Sequence, residues 1–220
     1  AMAVERLAGQ MGQWLADQFN WSTDEQEIAT FSLLLMISAG FTLILLVLFG
    51  WLAGVLAEIL VMAGTAAILR TFAGGAHLSS GWRCSWVTAA AATAGALVAR
   101  WAGPLAARWL GEGVPWVLLG VGLAVAALMA RRAPVPAPEK PLRSPRHRQI
   151  LRALAVGTSL LWAVAAAVWA GRGELPPSLW LASTFGLLQE AFSVTPSGGR
   201  TARWLDHMLL QSFTKGGERV

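Results

Sequence analysis

Charged residues are scarce in this chain, and their scarcity excludes most soluble folds. Only 13% of its 220 residues are charged, whereas 55% are hydrophobic. A soluble domain carries about 25% charged residues. A disordered chain is excluded as well, because such chains are poor in apolar residues. The composition therefore predicts a protein built from membrane-spanning helices.

Cysteine is nearly missing and tyrosine is wholly missing. Cys84 is the only cysteine, so an intrachain disulfide is excluded. The chain has 12 tryptophans, and tryptophan favours the membrane interface. The net charge of +5 suggests nucleic acid, yet the basic residues lie between apolar runs and form no face with interleaved aromatics. We therefore expect a lipid bilayer as a partner, and no nucleic acid.

Apolar runs predict about six transmembrane helices, because each is near the length of about 20 residues that crosses a bilayer. We expect a tight turn near Gly50-Trp51 and a helix end near Gly103-Pro104. The sixth run is the weakest, since Gln189 and Glu190 lie inside it. The predicted spans are 28–49, 52–70, 85–104, 114–130, 153–170 and 178–194, the last beginning after Pro176-Pro177.

Amphipathic segments flank this transmembrane region, 28–194. Residues 1–22 repeat apolar side chains at helical spacing and lack the compact apolar core of a signal peptide. They predict an interfacial helix on the membrane, with a soluble helix packed on a loop as the alternative. Residues 200–213, which include His207, predict a second amphipathic segment. The fold class is therefore an all-α, polytopic integral membrane protein with one domain, 1–220.

Basic residues predict the orientation of the spans. Segment 131–152 holds seven Lys and Arg against one acid, Glu139, so we expect it to be cytoplasmic. Counting back two spans puts segment 71–84 on the same side, together with both termini. Ala133 to Pro138 reads as a short polyproline spacer, and His147 is expected to be solvated among arginines.

Segment 70–84 carries the candidate chemistry at the cytoplasmic face. Cys84 and His77 are a minimal nucleophile and base, and Arg70 and Arg83 add positive potential that favours a thiolate. Residues seven apart on a straight helix are separated by about 10 Å, too far for a hydrogen bond. The chain must therefore break between His77 and Cys84 if they act as a pair.

Glycine and serine supply that break at Gly74, Gly75, Gly81 and Ser79-Ser80. A loop of this kind leaves backbone N–H groups to hold an oxyanion. Ser80 either donates to that oxyanion or only forms the turn. A non-catalytic alternative makes the cysteine a small buried hydrophobe and the histidine a packing residue.

Two acids lie inside the predicted spans. Glu58 is about 18 Å from Arg70 along a helix, so it cannot orient His77 from its own span, and pairing with another span is the alternative. Glu190 is placed to approach the loop as a third catalytic or substrate-contact group. No HExxH, CxxC or GxSxG pattern occurs, so we expect no metal and no cofactor.

The segment resembles the accessory gene regulator B family of bacterial membrane peptidases. Thr71 and Phe72 depart from the basic or polar residues of some members, which bears on substrate preference. The matching features are Arg70, Gly74-Gly75-Ala76-His77, Ser79-Ser80, Trp82 and Cys84, then Ala133-Pro134 with Glu139-Lys140-Pro141-Leu142, and more weakly Gln189-Glu190-Ala191 with Thr195-Pro196.

The resemblance implies a cysteine endopeptidase that matures the propeptide of a quorum-sensing signal. Cys84 and His77 take the family's catalytic positions, and a Cys84 acyl-thioester is resolved by an internal Cys or Ser of the substrate into a thiolactone or lactone. The implied partners are a propeptide with an amphipathic N-terminal helix and an acidic C-terminal tail, and a second copy in a homodimer. The implied location is the bacterial cytoplasmic membrane.

The resemblance is less specific about the residues that support catalysis or bind the substrate. Arg70 and Gly75 match the family motif, and Ser80, Arg83 and Glu190 join them as candidate supporting or substrate-binding residues. The arginines and the 131–152 cluster are candidate docking groups for an acidic tail, with membrane topology alone as the alternative.

Two non-enzymatic alternatives stay open. A small transporter or export component needs polar groups along several spans, and only Glu58 and Glu190 qualify. A structural scaffold would use the small Gly and Ala residues for helix packing. Both predict that Cys84→Ala leaves function intact, whereas the peptidase predicts its loss.

Overall fold

The fold is helical throughout the part of the chain that the computed structural model describes. Residues 3–76, 78–135 and 144–216 are described, with side chains over 6–76, 78–135 and 144–210. No strand occurs within these ranges, which confirms the predicted all-α class. The helices are α1 (Ala3–Phe19), α2 (Thr23–Leu52), α3 (Leu56–Ala73), α4 (Gly81–Leu110), α5 (Val114–Arg132), α6 (Pro145–Gly171), α7 (Pro177–Ser193) and α8 (Pro196–Gly216).

Two predicted helix boundaries were wrong. The turn expected at Gly50-Trp51 lies just beyond Leu52, where α2 ends. The helix end expected near Gly103-Pro104 is absent, since α4 runs through Pro104 to Leu110 and a 3-10 turn, Gly111–Gly113, then leads into α5. Proline removes a single backbone donor, and the Leu-Ala-Ala-Arg-Trp-Leu stretch after it favours a helix strongly enough to continue.

Close backbone contacts hold the helices α2 to α7 in one bundle. At Gly186 of α7, an added Cβ would collide with the backbone carbonyl oxygen of Met62 in α3. At Gly122 of α5, it would collide with Ala163 of α6. Small residues at these crossings let neighbouring helices approach without a side chain between them. Leu69, Met129 and Leu187 fill the core where α3, α5 and α7 meet.

Four helical stretches among the described residues are long and apolar enough to cross a membrane, at 23–52, 56–73, 81–132 and 145–171. The third contains both α4 and α5, and α7 is not among the four. The protein is therefore a polytopic membrane protein, as predicted, while the number of six spans stays a prediction.

Both flanking segments are helical: α1 lies within the helix predicted for residues 1–22, and α8 includes described residues of the amphipathic segment predicted at 200–213. α1 packs on α2, where Gly12 touches Thr30. α8 begins at Pro196, four residues before the predicted segment, and contacts α7. The loop after α3, the residues after α5 and the junction between α7 and α8 all meet at one end of the bundle. The candidate site lies there.

Candidate active site

The chain between α3 and α4 is irregular, as the sequence predicted. Gly74 has φ of 68° and Gly75 has φ of 144°, a region that L side chains rarely adopt. Gly81 was wrongly assigned to this break, since it is the first residue of α4. An added Cβ there would lie 2.8 Å from Ser38 Oγ, so its small size serves the contact with α2. His77 lies outside the described residues.

Cys84 lies in the first turn of α4. Its backbone N donates to the carbonyl oxygen of Ser80 at 3.0 Å, and its side chain is partly exposed. The thiol is therefore near the positive end of the helix dipole and is partly accessible.

Ser80 occupies the N-cap position of α4 without capping it. Its side chain makes no capping hydrogen bond, and its buried Oγ has no hydrogen-bond partner among the described residues. A hydroxyl used only to form the turn would bond the helix backbone. This hydroxyl lies one helical turn before Cys84 and makes no such bond among the described residues.

Arg70 links α7 to the loop. Its Nη1 lies 3.1 Å from Glu190 Oε2, and its Nη2 donates to the carbonyl oxygen of Ala76 at 2.6 Å. The Ala76 N–H in turn donates to the carbonyl oxygen of Ser193 at 3.2 Å. Since Ala76 directly precedes His77 in the sequence, these bonds fix the chain where the histidine begins.

Gly75 packs against the same group. An added Cβ would lie 3.0 Å from Glu190 Oε1 and would collide with Ser193 Oγ. The Glu190 side chain is 2% exposed. The structure thus brings together Arg70, Gly75 and Glu190, three of the predicted supporting residues.

The proline segment after α5 lies against the loop, a contact that the sequence analysis missed. Val135 pairs with Gly74 in an isolated parallel bridge, and its N–H donates to the Ala73 carbonyl oxygen at 2.9 Å. Arg152 Nε donates to the Ala133 carbonyl oxygen at 2.8 Å. The sequence held one signal for this contact, since Ala133-Pro134 and Gly74-Gly75 are both among the motifs that resemble the family. Residues 136–143, with Glu139 and Lys140, lie outside the described residues.

Arg83 is paired with an acid that the sequence analysis did not single out. Its Nε lies 2.9 Å from Asp206 Oδ1 in α8, and its Nη2 donates to Ser79 Oγ at 2.6 Å. The Ser79 N–H donates to Asp206 Oδ2 at 3.3 Å. No local pattern could have found this contact, because it joins an amphipathic C-terminal helix to a loop far away in the sequence.

Glu58 does not belong to this site. Glu58 lies in the first turn of α3, whereas Arg70 lies in the last turn. Glu58 Oε1 accepts a hydrogen bond from Arg100 Nη1 of α4 at 3.0 Å. The sequence left a functional role and a pairing between spans open, and the pairing is confirmed.

Several long apolar helices, with a cysteine in the first turn of α4 directly after an irregular loop, define a polytopic membrane protein with a candidate site at one end of its bundle. The family model described as Accessory gene regulator B matches residues 8–194. The chain belongs to the accessory gene regulator B family and is a membrane protein of the accessory gene regulator system. No curated protein and no solved structure matches the chain.

Proposed function

We propose that this protein is a membrane-embedded cysteine endopeptidase that cleaves the C-terminal tail from a quorum-sensing propeptide and closes the remainder into a thiolactone or lactone. The observation that carries the proposal is the position of Cys84 in the first turn of α4, directly after an irregular loop that contains His77 in sequence. Family membership supports protease-like processing.

The chemistry follows from a thiol and an imidazole. His77 takes the proton of Cys84, and the thiolate attacks the scissile peptide carbonyl. His77 then returns the proton to the leaving amine of the tail, and the acyl group stays on Cys84 as a thioester. An internal Cys or Ser of the propeptide attacks this thioester, which forms the ring and frees the Cys84 thiol.

Ser80 fits the role of an oxyanion donor. Its buried Oγ has no partner among the described residues and lies one turn before the nucleophile. The N–H groups in the first turn of a helix also lack partners within that helix. Donors that are already fixed stabilise the developing oxyanion without reorganisation.

Arg70 and Glu190 act as positioning residues. The Arg70 side chain joins the buried Glu190 to the Ala76 carbonyl oxygen, and Gly75 leaves room for that acid. In this role they hold the backbone from which His77 extends, and neither needs to touch the substrate.

Partners and location complete the proposal. The substrate is a propeptide with an amphipathic N-terminal helix and an acidic tail, which docks near Arg83 and the 131–152 cluster, and the enzyme works as a homodimer. We place the protein in the bacterial cytoplasmic membrane with both termini and the loop in the cytoplasm. The meeting of the loop, Val135 and α8 at one bundle end supports a common side for these segments.

The test is mass spectrometry of a candidate propeptide incubated with the protein in lipid vesicles. We expect release of the tail and an acyl species on Cys84, and neither with Cys84→Ala. Ser32→Ala, which also removes a single γ-atom but from an exposed residue of α2, should process the propeptide normally. Tail release by the Cys84→Ala variant would contradict the mechanism, whereas an intact propeptide with both proteins would favour a non-enzymatic transporter or export component.

A further inference from the structure

The start of α4 carries a carboxylate from another part of the chain. We propose that Arg83 and the Ser79 N–H form a carboxylate-binding site, that Asp206 of α8 fills it from within the chain, and that an acidic peptide displaces Asp206. α8 is then a latch over the turn that holds Cys84. The inference rests on the proposed function only for the peptide's role as substrate.

Three contacts build the site. Asp206 Oδ1 lies 2.9 Å from Arg83 Nε, and Asp206 Oδ2 accepts from the Ser79 N–H at 3.3 Å. Arg83 Nη2 donates to Ser79 Oγ at 2.6 Å, which fixes the guanidinium in place. The Arg83 and Asp206 side chains are 12% and 14% exposed, so the pair is largely shielded from water. Arg83 Nε and Asp206 Oδ1 thus form an ion pair without a hydrogen bond between them, and the hydrogen bond to the carboxylate comes from the Ser79 N–H.

The start of α4 requires an anion that its own sequence does not supply. No acidic residue lies in its first turn, and Ser80 provides no side-chain cap. The free N–H groups and the dipole give a helix N-terminus a partial positive charge, to which Arg83 adds a full one. The carboxylate of Asp206 provides an anion beside Arg83, and its hydrogen bond comes from the Ser79 N–H, two residues before α4 begins. Another carboxylate at the same place would make the same contacts.

The attachment of α8 suits a displaceable latch. Ala202 is its one buried apolar side chain among those described, and Trp204, two residues before Asp206, is 59% exposed. A helix held by little apolar burial separates at a small cost. The family match also ends at residue 194, before α8 begins. α8 therefore lies outside the region that the family model matches.

A peptide carboxylate is the ligand that fits best. The site holds a carboxylate already, and it lies at the residue next to Cys84. A substrate with an acidic tail would exchange its own carboxylate for that of Asp206 and would bring its neighbouring peptide bond to the thiol. Opening of the latch and binding of the substrate would then be one event.

Binding of labelled hexaglutamate tests the exchange. The protein is placed in discs of phosphatidylcholine, and fluorescence anisotropy gives the affinity for fluorescein-labelled hexaglutamate and for hexaglutamine. If Asp206 fills the site nine-tenths of the time, Asp206→Asn should bind hexaglutamate about tenfold more tightly than the unmodified chain. Adding Arg83→Gln to Asp206→Asn should abolish that gain, and hexaglutamine should show none.

Two variants control for charge and folding. Glu112→Gln makes the same charge change at the opposite end of α4 and should leave the affinity unchanged. Asp206→Glu keeps the carboxylate and should bind like the unmodified chain. Equal affinities of the unmodified chain and Asp206→Asn, or a gain that survives Arg83→Gln, would overturn the latch. Because no cleavage is measured, this result is independent of the proposed peptidase activity.

Discussion

Two arginine–glutamate pairs at opposite ends of α3 allow a matched test of the site. Arg70 pairs with Glu190 at 3.1 Å, and Arg100 pairs with Glu58 at 3.0 Å. Both glutamate side chains are 2% exposed. Only the first pair also holds the loop. Variants of the two pairs should therefore both lower stability but should differ in their effect on cleavage.

The expected loss of stability can be bounded from burial. Removing one partner of a buried ion pair costs about 3–5 kcal/mol, whereas an exposed pair contributes about 0–1 kcal/mol. The Arg70 side chain is 32% exposed and that of Arg100 is 55% exposed, so both pairs lie between these limits. We expect Arg70→Ala to cost about 2–3 kcal/mol and Arg100→Ala about 1–2 kcal/mol, since each leaves a glutamate buried without its partner.

Cleavage should separate the pairs. Arg70→Ala also loses the hydrogen bond to the Ala76 carbonyl oxygen, so the backbone before His77 is released and propeptide cleavage should fall far more than unfolding explains. Arg70→Met combined with Glu190→Gln removes both charges, which should restore much of the stability but not the activity.

Thermal unfolding in detergent, followed by tryptophan fluorescence, gives the stabilities, and mass spectrometry gives the cleavage rates at a temperature where every variant is folded. Equal losses of cleavage from Arg70→Ala and Arg100→Ala would refute a positioning role for the Arg70 pair. So would full activity of the Arg70→Met and Glu190→Gln double variant.

Three further substitutions test single features. Gly75→Ala should nearly abolish cleavage, because a residue with a side chain is strained by roughly 1–3 kcal/mol at φ of 144° and the new Cβ would collide with α7. Gly40→Ala is the control, since Gly40 has open space around it, and it should leave cleavage unchanged. Gly186→Ala should lower the thermal unfolding midpoint in detergent, since its Cβ would collide with a backbone carbonyl oxygen of α3, and an unchanged midpoint would contradict that packing. Ser80→Ala should keep or raise the unfolding midpoint, because it removes a buried hydroxyl without a partner among the described residues. Cleavage should nevertheless fall roughly tenfold or more. Unchanged cleavage would exclude an oxyanion role for Ser80.

The sequence predicted what depends on local pattern. Long apolar runs predicted the helices of the bundle, and the clustered glycines at Gly74 and Gly75 predicted the break before α4, because each signal lies within a few residues of its effect. The same reasoning failed at Pro104, where a local helix breaker is outweighed by the residues after it. The family resemblance indicated that motifs far apart in the sequence match one family, but it did not predict which of them are in contact.

Most contacts around the loop could not be predicted because they join segments that are distant in the sequence, the bond between Arg70 and the nearby Ala76 being the exception. Ala76 is held by Arg70 and Ser193, Gly74 by Val135, and Ser79 by Asp206. An irregular loop has unpaired backbone groups, and buried ones must find partners elsewhere. The ends of α3, α5 and α7 provide the partners of the first half of the loop, within the region that the family model matches. In the second half, which leads to Cys84, the Ser79 N–H donates to Asp206 of α8, a helix outside the matched region, so variation in that helix would change the surroundings of the thiol.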